Sequence, residues 1–429
     1  MPAFSAALNQ LRNDLQQITH RQAGHLRLSV RMSDHSDALC WLQAQQCWPQ
    51  LWWQHRNGRE SVAACGEVRH FSTLHQAQQA SEQLPADWRI WGANDFAAQQ
   101  SYLFLPRLIW RRSDNHCQLQ LCLWSDTSLY DDAQRALQFL AQLQPSRPLA
   151  PLDTSLLHQQ HTPDRPGWSL LIDHALSAIA AGQMDKVVLA RATDLWFSHT
   201  VSAASLLAAS RRVNHHCYHF MLAFDQHHAF VGSTPERLFL RQQSELMTEA
   251  LAGTVASGED DSQAAQNAHW LRNDDKNQRE NLLVVDDICQ RLQGMVAGLD
   301  VMPAEVVRLR NVQHLRRRIH GELRQRSDEL CLTHLQPTAA VAGFPRQPAR
   351  DFIARHEPFT RQWYAGSLGY LSRRKSEFSV SLRSALVEDR RVRLYAGAGI
   401  IAGSDAGQEW QEIDNKAAAL ATLLLQASP

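Results

Sequence analysis

Two glutamates near the C-terminus have the spacing of a metal-binding pair. Glu409 and Glu412 stand three residues apart in a segment with helical periodicity, so both side chains project from one face of a helix. Neighbouring carboxylates repel each other, and a divalent cation relieves the repulsion; hard oxygen ligands suit Mg²⁺ in particular. The alternative is a solvated glutamate pair balanced by Lys416, four residues after Glu412.

A glycine-containing segment just before this helix could hold an anion. In Tyr395-Ala-Gly-Ala-Gly-Ile-Ile, Gly397 and Gly399 stand in a predicted strand end. Glycines there let backbone N–H groups approach a bound anion without interference from a Cβ atom. Strand and helix together predict a site for a small carboxylate-bearing molecule that binds with magnesium.

Two further residues could transfer protons. Lys186 begins an apolar strand, and a lysine serves as a general base only where burial or a nearby cation favours its neutral form. Glu236 follows the turn that ends at Pro235, and a glutamic acid in an apolar pocket can keep its proton near neutral pH and donate it to a leaving hydroxyl. The alternatives are an exposed lysine at a strand end and a glutamate paired with Arg237 or with solvent.

Other residues could complete the site. Glu280 lies in a charge-rich helical segment and could supply carboxylate oxygens beside Glu412 if it faces inward, although such a segment is more often a solvated face. Arg383 alternates with apolar residues in a predicted buried strand, where its guanidinium requires either a substrate carboxylate or an internal salt bridge. Three residues add backbone and hydroxyl donors of the kind that small anionic ligands use: Gly253, Thr254 and Tyr364.

The composition limits the class of partner. The 429 residues include 43 basic and 43 acidic side chains, which removes any global attraction to nucleic acid or to an anionic membrane. The basic run from Arg308 to Arg318 alternates with apolar residues and indicates the solvated face of a strand. Among the 21 histidines, His215-His216 and His227-His228 stand at predicted strand and turn edges without helical i,i+4 pairing, so a transition-metal site is not expected.

The sequence also predicts a cytoplasmic location. The eight cysteines show no CxxC spacing, which is typical of reduced thiols. The N-terminus lacks the pattern of a signal peptide. No stretch approaches the ~18 uninterrupted apolar residues that a membrane-spanning helix needs.

Strand and helix signals arrive in runs along the chain. A helix is predicted for 3–17 and a hairpin between 100 and 125, and five prolines stand between 145 and 166. A strand from Lys186 and a helix at 201–212 precede four β-rich runs between 217 and 251, whose spacing predicts an antiparallel meander. One long helix at 261–293 and a second β-rich region at 364–400 follow.

These runs favour an α+β fold with layered antiparallel sheets, flanked by helices, in a single large body. Within it we predict a structural N-terminal α/β portion at 1–150, a proline-rich linker at 151–165 and a catalytic domain at 166–429.

Eight separated motifs resemble, in order and spacing, the chorismate-utilising enzymes, which include isochorismate, anthranilate, aminodeoxychorismate and salicylate synthases. They cover about 165–429 and are KVVLAR, GSTPERL, TEALAGT, DDKNQRENLLVVDDI, LQPTAAVAGFPR, EPFTRQWYAGSLGYL, FSVSLRSA and YAGAGI with EWQEIDNKA. The N-terminal WPQLWWQHRNGRE and WRIWGANDF further resemble the isochorismate synthases of the menaquinone pathway. The resemblance implies the fold of anthranilate synthase component I.

The resemblance also implies a role for each candidate. The lysine that matches Lys186 activates water in the isochorismate and salicylate branches, and the glutamate that matches Glu236 protonates the departing C4 hydroxyl. Glu280 and Glu412 would hold Mg²⁺ against the ring carboxylate, with Glu409 contacting the ion through water. The enolpyruvyl carboxylate would lie against five residues: Tyr364, Arg383, Gly397, Ala398 and Gly399.

Two positions separate the branches of the family. Ala252 stands where aminodeoxychorismate synthases carry a lysine nucleophile, so no covalent route is expected. Gln336 stands where many relatives carry a histidine, and a glutamine cannot titrate near neutral pH, which weakens the case for pyruvate elimination.

The predicted reaction is therefore the reversible, Mg²⁺-dependent isomerisation of chorismate to isochorismate, which would feed menaquinone biosynthesis. Water would add at C2 while the C4 hydroxyl leaves, and no amidotransferase partner would be needed. The alternatives are a salicylate synthase, and a non-catalytic chorismate-binding subunit that depends on an ammonia-supplying partner. A siderophore pathway stays open.

Overall fold

The computed structural model describes residues 3–33, 36–114, 116–152, 155–258 and 260–425, which form eleven helices and twenty strands. The helices are α1 (Phe4–Gln16), α2 (Ala38–Gln43), α3 (Leu74–Gln83), α4 (Leu129–Gln142), α5 (Arg165–Ala180), α6 (Ala203–Val213), α7 (Asp261–Asn273), α8 (Asp275–Leu292), α9 (Asp328–Leu335), α10 (Arg346–His356) and α11 (Ala406–Leu425). The strands are β1 (Gly24–Met32), β2 (Gln50–Gln54), β3 (Glu60–Phe71), β4 (Ile90–Asn94), β5 (Ser101–Ser113), β6 (His116–Ser125), β7 (Leu156–Thr162), β8 (Lys186–Phe197), β9 (Tyr218–Ala223), β10 (His228–Thr234), β11 (Arg237–Gln242), β12 (Glu245–Ala256), β13 (Val296–Val301), β14 (Glu305–Arg308), β15 (Val312–Leu323), β16 (Gly343–Phe344), β17 (Ser367–Leu371), β18 (Lys375–Val380), β19 (Ser384–Glu388) and β20 (Arg391–Ile401).

Antiparallel pairing joins these strands into a sheet that forks at β5. One branch, which we call the long sheet, runs β1-β6-β5-β3-β2-β9-β10-β19-β20-β8-β7, with β16 also beside β8. The other branch, the short sheet, leaves β5 through β4 and runs β4-β17-β18-β11-β12-β15. Strands β14 and β13 both pair with β15, β14 with its N-terminal half and β13 with its C-terminal half.

Alternation along the strands divides the apolar side chains between two cores. On β2, Leu51 and Trp53 belong to a core between the two sheets, whereas Trp52 belongs to a second core. That second core packs the long sheet against α1, α4, α6 and α11. The predicted layering of antiparallel sheets and helices is confirmed. Among the described helices, none has the length and apolar character that crossing a lipid bilayer requires.

The residues before 150 contribute strands to both sheets. Strand β2 pairs with β9, with Gln54 opposite His219, and β4 pairs with β17, with Asn94 opposite Ser367. In the proline-rich segment at 151–165, β7 forms a largely exposed strand beside β8, while residues 153–154 lie outside the described part. The chain is the single body that the sequence predicts.

Most local elements match their predictions. The helix expected at 3–17 is α1, the hairpin expected between 100 and 125 is formed by β5 and β6, and the strand expected from Lys186 is β8. The helix expected at 201–212 is α6. Residue 115, between these two strands in the sequence, is outside the described part.

The predicted meander is wrong at its centre. Strands β9 and β10 pair, as do β11 and β12, but β10 continues to β19 and β11 to β18. The chain therefore changes sheets between β10 and β11. Pro235 stands at this point, and a proline has no N–H with which to continue a ladder. The crossing places Glu236 between the two sheets.

The long helix predicted for 261–293 is wrong, because it is two helices. Asp274, between α7 and α8, has an extended backbone, and its side chain accepts a hydrogen bond from the Asn277 N–H at 2.9 Å. An aspartate in this position caps the following helix and ends the preceding one. The second helix is then fixed on β12 by Asn281, whose amide donates to the Ala252 carbonyl at 3.0 Å.

Candidate active site

A cleft between the two sheets collects most of the predicted site residues. It encloses about 680 Å³, part of it open to solvent. Lys186 lies behind its wall, Ala398 is buried in β20, and Glu409 and Glu412 lie on α11. The wall itself includes eight predicted residues: Glu236, Gly253, Thr254, Glu280, Tyr364, Arg383, Gly397 and Gly399.

Lys186 is fully buried at the start of β8. Its Nζ lies 3.0 Å from Oε1 of Glu280 on α8. The two groups form an ion pair, and no described residue accepts a hydrogen bond of suitable geometry from this amino group. Burial favours a higher pKa for Glu280, yet the contact with Lys186 and the charges of Lys416 and Lys276 together outweigh burial and hold the pKa of this carboxyl below its ordinary value. Lys186 is thus an interior residue with N–H groups to spare, and the alternative of an exposed strand-end lysine is wrong.

Glu236 is buried and lacks the partner that would favour its charge. Its side chain is 2% exposed, and Oε1 has no hydrogen-bond partner among the described residues. Burial, followed by the negative charge of Glu249, raises the pKa of Glu236 to about 8. Arg237 does not pair with it but contacts Glu377, with Nη2 and Oε1 3.0 Å apart. The carboxyl group therefore keeps its proton at neutral pH.

Gly397 and Gly399 direct their peptide groups away from β8. The Gly397 carbonyl accepts a hydrogen bond from Lys416 Nζ at 2.9 Å, outside the ladder. Alternate residues of a strand point their N–H groups the same way, so those of Gly397 and Gly399 also point away from β8. Ala398, opposite Leu189, points the other way, into the ladder, and its side chain is buried rather than in the cleft wall.

Both glycines permit a close approach. A Cβ atom at Gly399 would lie 2.5 Å from Glu280 Oε1 and 2.9 Å from Lys186 Cε. A Cβ atom at Gly397 would lie 2.9 Å from the Tyr364 hydroxyl oxygen. The absence of a side chain at Gly399 thus allows the Lys186–Glu280 pair to form where it does.

We expect Gly399→Ala to reduce activity with little effect on stability. The new methyl group would displace the ends of two flexible side chains, Glu280 and Lys186, which the fold tolerates but the chemistry does not. A misplacement of about 1 Å lowers kcat/KM by about 100-fold. The control is Gly298→Ala on β13, where a Cβ atom meets nothing within 4 Å. Steady-state kinetics and thermal unfolding of both variants check this, and a fully active Gly399→Ala would contradict it.

Arg383 does not lie in a strand, contrary to the prediction. It precedes β19 with φ +46°, in the left-handed region that non-glycine residues seldom adopt. Its Nη2 donates to Nε2 of His314 at 2.8 Å, and no described carboxylate forms an ion pair with it. The predicted alternative of an internal salt bridge is therefore absent from the described residues. The guanidinium has N–H groups left for an anionic ligand.

His314 lines the cleft, and the sequence analysis missed it. Because a guanidinium can only donate, Nε2 of His314 accepts from Arg383 and the ring hydrogen must be on Nδ1, which lies 3.2 Å from Thr254 Oγ1. Burial, then the charges of Arg383 and Lys416, hold the pKa of His314 well below its ordinary value. The neutral ring connects Arg383 to Thr254. His314 lies in the basic run of β15, where the sequence pattern around it does not indicate a site residue.

The three predicted metal ligands each contact a lysine. Glu280 contacts Lys186, and Glu412 accepts from Lys416 at 2.7 Å, the i,i+4 pair that the sequence predicts. Glu409 Oε1 lies 3.5 Å from the amino group of Lys276.

The family of the protein follows from comparison with known proteins. The model of the family described as chorismate binding enzyme matches residues 92–425. The chain belongs to this family. It is 55% identical to the isochorismate synthase MenF of Escherichia coli K12 over 428 residues, which is 99% of both chains.

Solved structures of the family share the fold. The structure of the menaquinone-specific isochorismate synthase MenF from Escherichia coli superposes with a TM-score of 0.96 over 99% of this chain and 100% of that one. Anthranilate synthase component I from Streptococcus pneumoniae, at 20% identity, has a TM-score of 0.69 over 84% of this chain and 92% of that one. The family resemblance and the predicted fold are confirmed.

The carboxylates of this chorismate-binding enzyme suit a hard cation, although they do not form a ready site. No three acidic, histidine or cysteine side chains in the described ranges stand close enough to hold a metal as placed. Burial raises the pKa of Glu409, and the charges of Glu412 and Glu280 raise it further. The three carboxylates therefore repel one another, and oxygen ligands of this kind are those that Mg²⁺ prefers. The residues fit Mg²⁺ if their lysine contacts are given up.

Gln336 does not line the cleft of this chorismate-binding enzyme. Its side chain is buried, with Nε2 donating to the Asp95 carbonyl at 2.5 Å and Oε1 accepting from Ser367 Oγ at 2.6 Å. The residue thus connects the segment after β4 with the start of β17.

Proposed function

We propose that the protein is an isochorismate synthase, an isomerase that converts chorismate reversibly to isochorismate with Mg²⁺ and serves menaquinone formation. The observation that carries the proposal is the pairing in one site of a buried amine, Lys186, with a buried carboxylic acid, Glu236. These groups suit a base and an acid that act at different ring positions. The 55% identity to the isochorismate synthase MenF of Escherichia coli supports the same reaction.

The two groups divide the proton transfers. Lys186 accepts a proton from the water molecule that attacks C2 of chorismate, a step that requires its uncharged amine form. The ring double bond shifts as the C4 hydroxyl leaves, and Glu236 gives that hydroxyl its proton, so it departs as water. One water enters and one leaves, which makes the overall reaction an isomerisation. The proton on Lys186 must return to Glu236 before the next turnover.

The remaining residues hold the substrate carboxylates. The enolpyruvyl carboxylate lies against Arg383, Tyr364 and the amides of Gly397 and Gly399. Thr254 is joined to Arg383 through His314. Glu280 and Glu412 would hold Mg²⁺, with Glu409 contributing through water, and the ion would supply positive charge for the ring carboxylate. Ala398 contributes its backbone to the ladder that presents the two glycines.

Product analysis tests the proposal directly. Purified protein incubated with chorismate and Mg²⁺, without ammonium or any partner, should form isochorismate without stoichiometric pyruvate. Salicylate with an equal amount of pyruvate would identify a salicylate synthase instead. A requirement for ammonium or for an amidotransferase subunit would contradict the use of water as the nucleophile.

The metal assignment predicts a specific defect in Glu412→Gln. Loss of one carboxylate should raise the Mg²⁺ concentration for half-maximal activity by about 10-fold or more, since an amide oxygen binds Mg²⁺ less strongly. Glu305→Gln is the control, because Glu305 is similarly exposed, at 35% against 29%, and pairs with arginines of β15. Titration of activity with Mg²⁺ checks this. An unchanged requirement would assign the metal to other ligands.

A further inference from the structure

An ion pair outside the cleft holds the turn that carries Glu236. Arg56 lies in the turn between β2 and β3, and its Nη1 donates to the Pro235 carbonyl at 2.8 Å. The same guanidinium donates to both carboxylate oxygens of Glu249 on β12, at 2.6 and 2.9 Å. Glu249 Oε1 also accepts from the backbone N–H of Arg237 at 2.8 Å. The two peptide groups that flank Glu236 are therefore both bound by this one pair.

The pair is well suited to fix a position. The Arg56 side chain is 14% exposed and that of Glu249 is 1% exposed, and the guanidinium packs 5.4 Å above the ring centre of Tyr218. Two parallel hydrogen bonds between an arginine and a carboxylate set orientation as well as distance. Neither side chain lines the cleft, so the pair acts on substrate through the turn that carries Glu236 and not by direct contact.

Glu249 also affects the charge of the acid. After burial, its negative charge is the main cause that raises the pKa of Glu236, while Lys186, Lys416 and Arg56 act in the opposite sense. Burial favours a higher pKa for Glu249 itself, but Arg56 holds the pKa of Glu249 below its ordinary value. Arg56 thus keeps a buried anion beside Glu236, and that anion favours the protonated acid.

We propose that Arg56 and Glu249 are positioning residues for Glu236. Their ion pair joins the N-terminal hairpin of β2 and β3 to the short sheet and fixes the direction of the acid in the cleft. The inference rests on the proposed function, in which Glu236 donates a proton. It gives the N-terminal portion, for which the sequence indicated only a structural role, a part in the reaction that is exerted through Glu236.

The first test separates positioning from stability. Arg56→Ala should lower kcat by about 10- to 100-fold with little change in the KM for chorismate, because the acid is misdirected while substrate contacts remain. Arg56→Lys should recover part of the loss, since a lysine restores the positive charge but not the two parallel hydrogen bonds of the guanidinium.

Arg89→Ala is the matched control. Arg89 is 13% exposed and pairs with Glu60 at 2.6 Å within the N-terminal portion, away from the cleft. Its loss should lower thermal stability with kcat close to that of the wild type. Equal kcat values for Arg56→Ala and Arg89→Ala would overturn the inference.

The second test uses pH. Glu249→Gln keeps the shape of the side chain and removes the charge that favours protonated Glu236, so the alkaline limb of the kcat/KM profile should move to lower pH by about one unit. The double variant that also carries Arg56→Ala should lose no more activity than the less active of the two single variants, because the two residues act as a unit. An alkaline limb at the same pH as in the wild type would overturn the inference. So would a double variant whose loss of activity equals the product of the two single losses.

Glu236→Gln distinguishes this inference from the function on which it rests. An inactive Glu236→Gln together with an Arg56→Ala that behaves like Arg89→Ala would reject the positioning role and leave the proposed function standing. An active Glu236→Gln would reject both.

Discussion

Lys186→Ala should lower kcat by about 1,000-fold or more, since a general base contributes about 10²- to 10⁴-fold. The amino group is buried, contacts Glu280 and has N–H groups that no described residue accepts. Its removal leaves the Arg383 side of the cleft intact, so chorismate should still bind. Steady-state kinetics together with calorimetric titration of chorismate in the presence of Mg²⁺ check both parts.

Lys186→Arg shows whether the charge or the proton transfer matters. An arginine keeps a positive charge near Glu280 but does not release its proton at accessible pH. We therefore expect it to be as inactive as the alanine variant. Near wild-type activity in either variant would show that another group activates the water. Lys375→Ala, which removes a lysine 3.8 Å from Glu377 and outside the cleft wall, is the control for loss of a lysine as such.

Glu236→Gln should lose activity and gain stability. The amide cannot donate a proton to the C4 hydroxyl, so we expect kcat to fall by about 10²- to 10⁴-fold. The wild-type carboxyl is buried with an oxygen that lacks a described partner, which disfavours the charged form in the folded protein. The neutral amide avoids that penalty. The wild-type carboxyl thus lowers the free energy of unfolding, and the variant removes that cost.

The gain in stability should depend on pH with a defined sign. The pKa of Glu236 rises from an ordinary value of 4.5 to about 8 in the folded chain, so the folded state binds this proton more tightly than the unfolded state. Wild-type stability therefore falls as the pH rises from 4.5 to 8, by an amount on the order of 4 kcal/mol. The Tm difference between Glu236→Gln and wild type should grow across this window. A constant difference would contradict the assigned environment.

The same pKa predicts the wild-type pH profile. Because the proposed mechanism needs the protonated acid, kcat/KM should decline as the pH rises through about 8, where Glu236 loses its proton in the free enzyme.

Local signals were sufficient for most elements, and most of the candidate residues that they marked lie in or beside one cleft. The periodicity around Lys186 and the turn at Pro235 placed these residues correctly on β8 and at a strand junction. The order of the motifs was sufficient for the family and the fold. What they did not provide is the pairing of strands that are distant in sequence, and the prediction of a meander failed for this reason. A hairpin and a change of sheet have similar turn residues, so only the packed core distinguishes them.

The residues that were missed or misplaced depend on contacts across the fold. Arg383 alternates with apolar residues as a strand would, yet its backbone turns out of the sheet beside His314. Arg56 approaches Glu249 across 193 positions of the chain, and no local pattern marks either residue as part of a site. Composition and spacing describe single elements, whereas these roles arise from which elements meet.

The fork of the sheet at β5 also has a consequence for synthesis on the ribosome. The N-terminal strands emerge first, but β2 pairs with β9 and β4 pairs with β17, and both partners are synthesised later. Ser367 of β17 is 273 positions beyond Asn94 of β4. During translation the early hairpins therefore present two open edges with unpaired N–H and C=O groups. We expect nascent chains that stop before β17 to depend on chaperones and to aggregate without them.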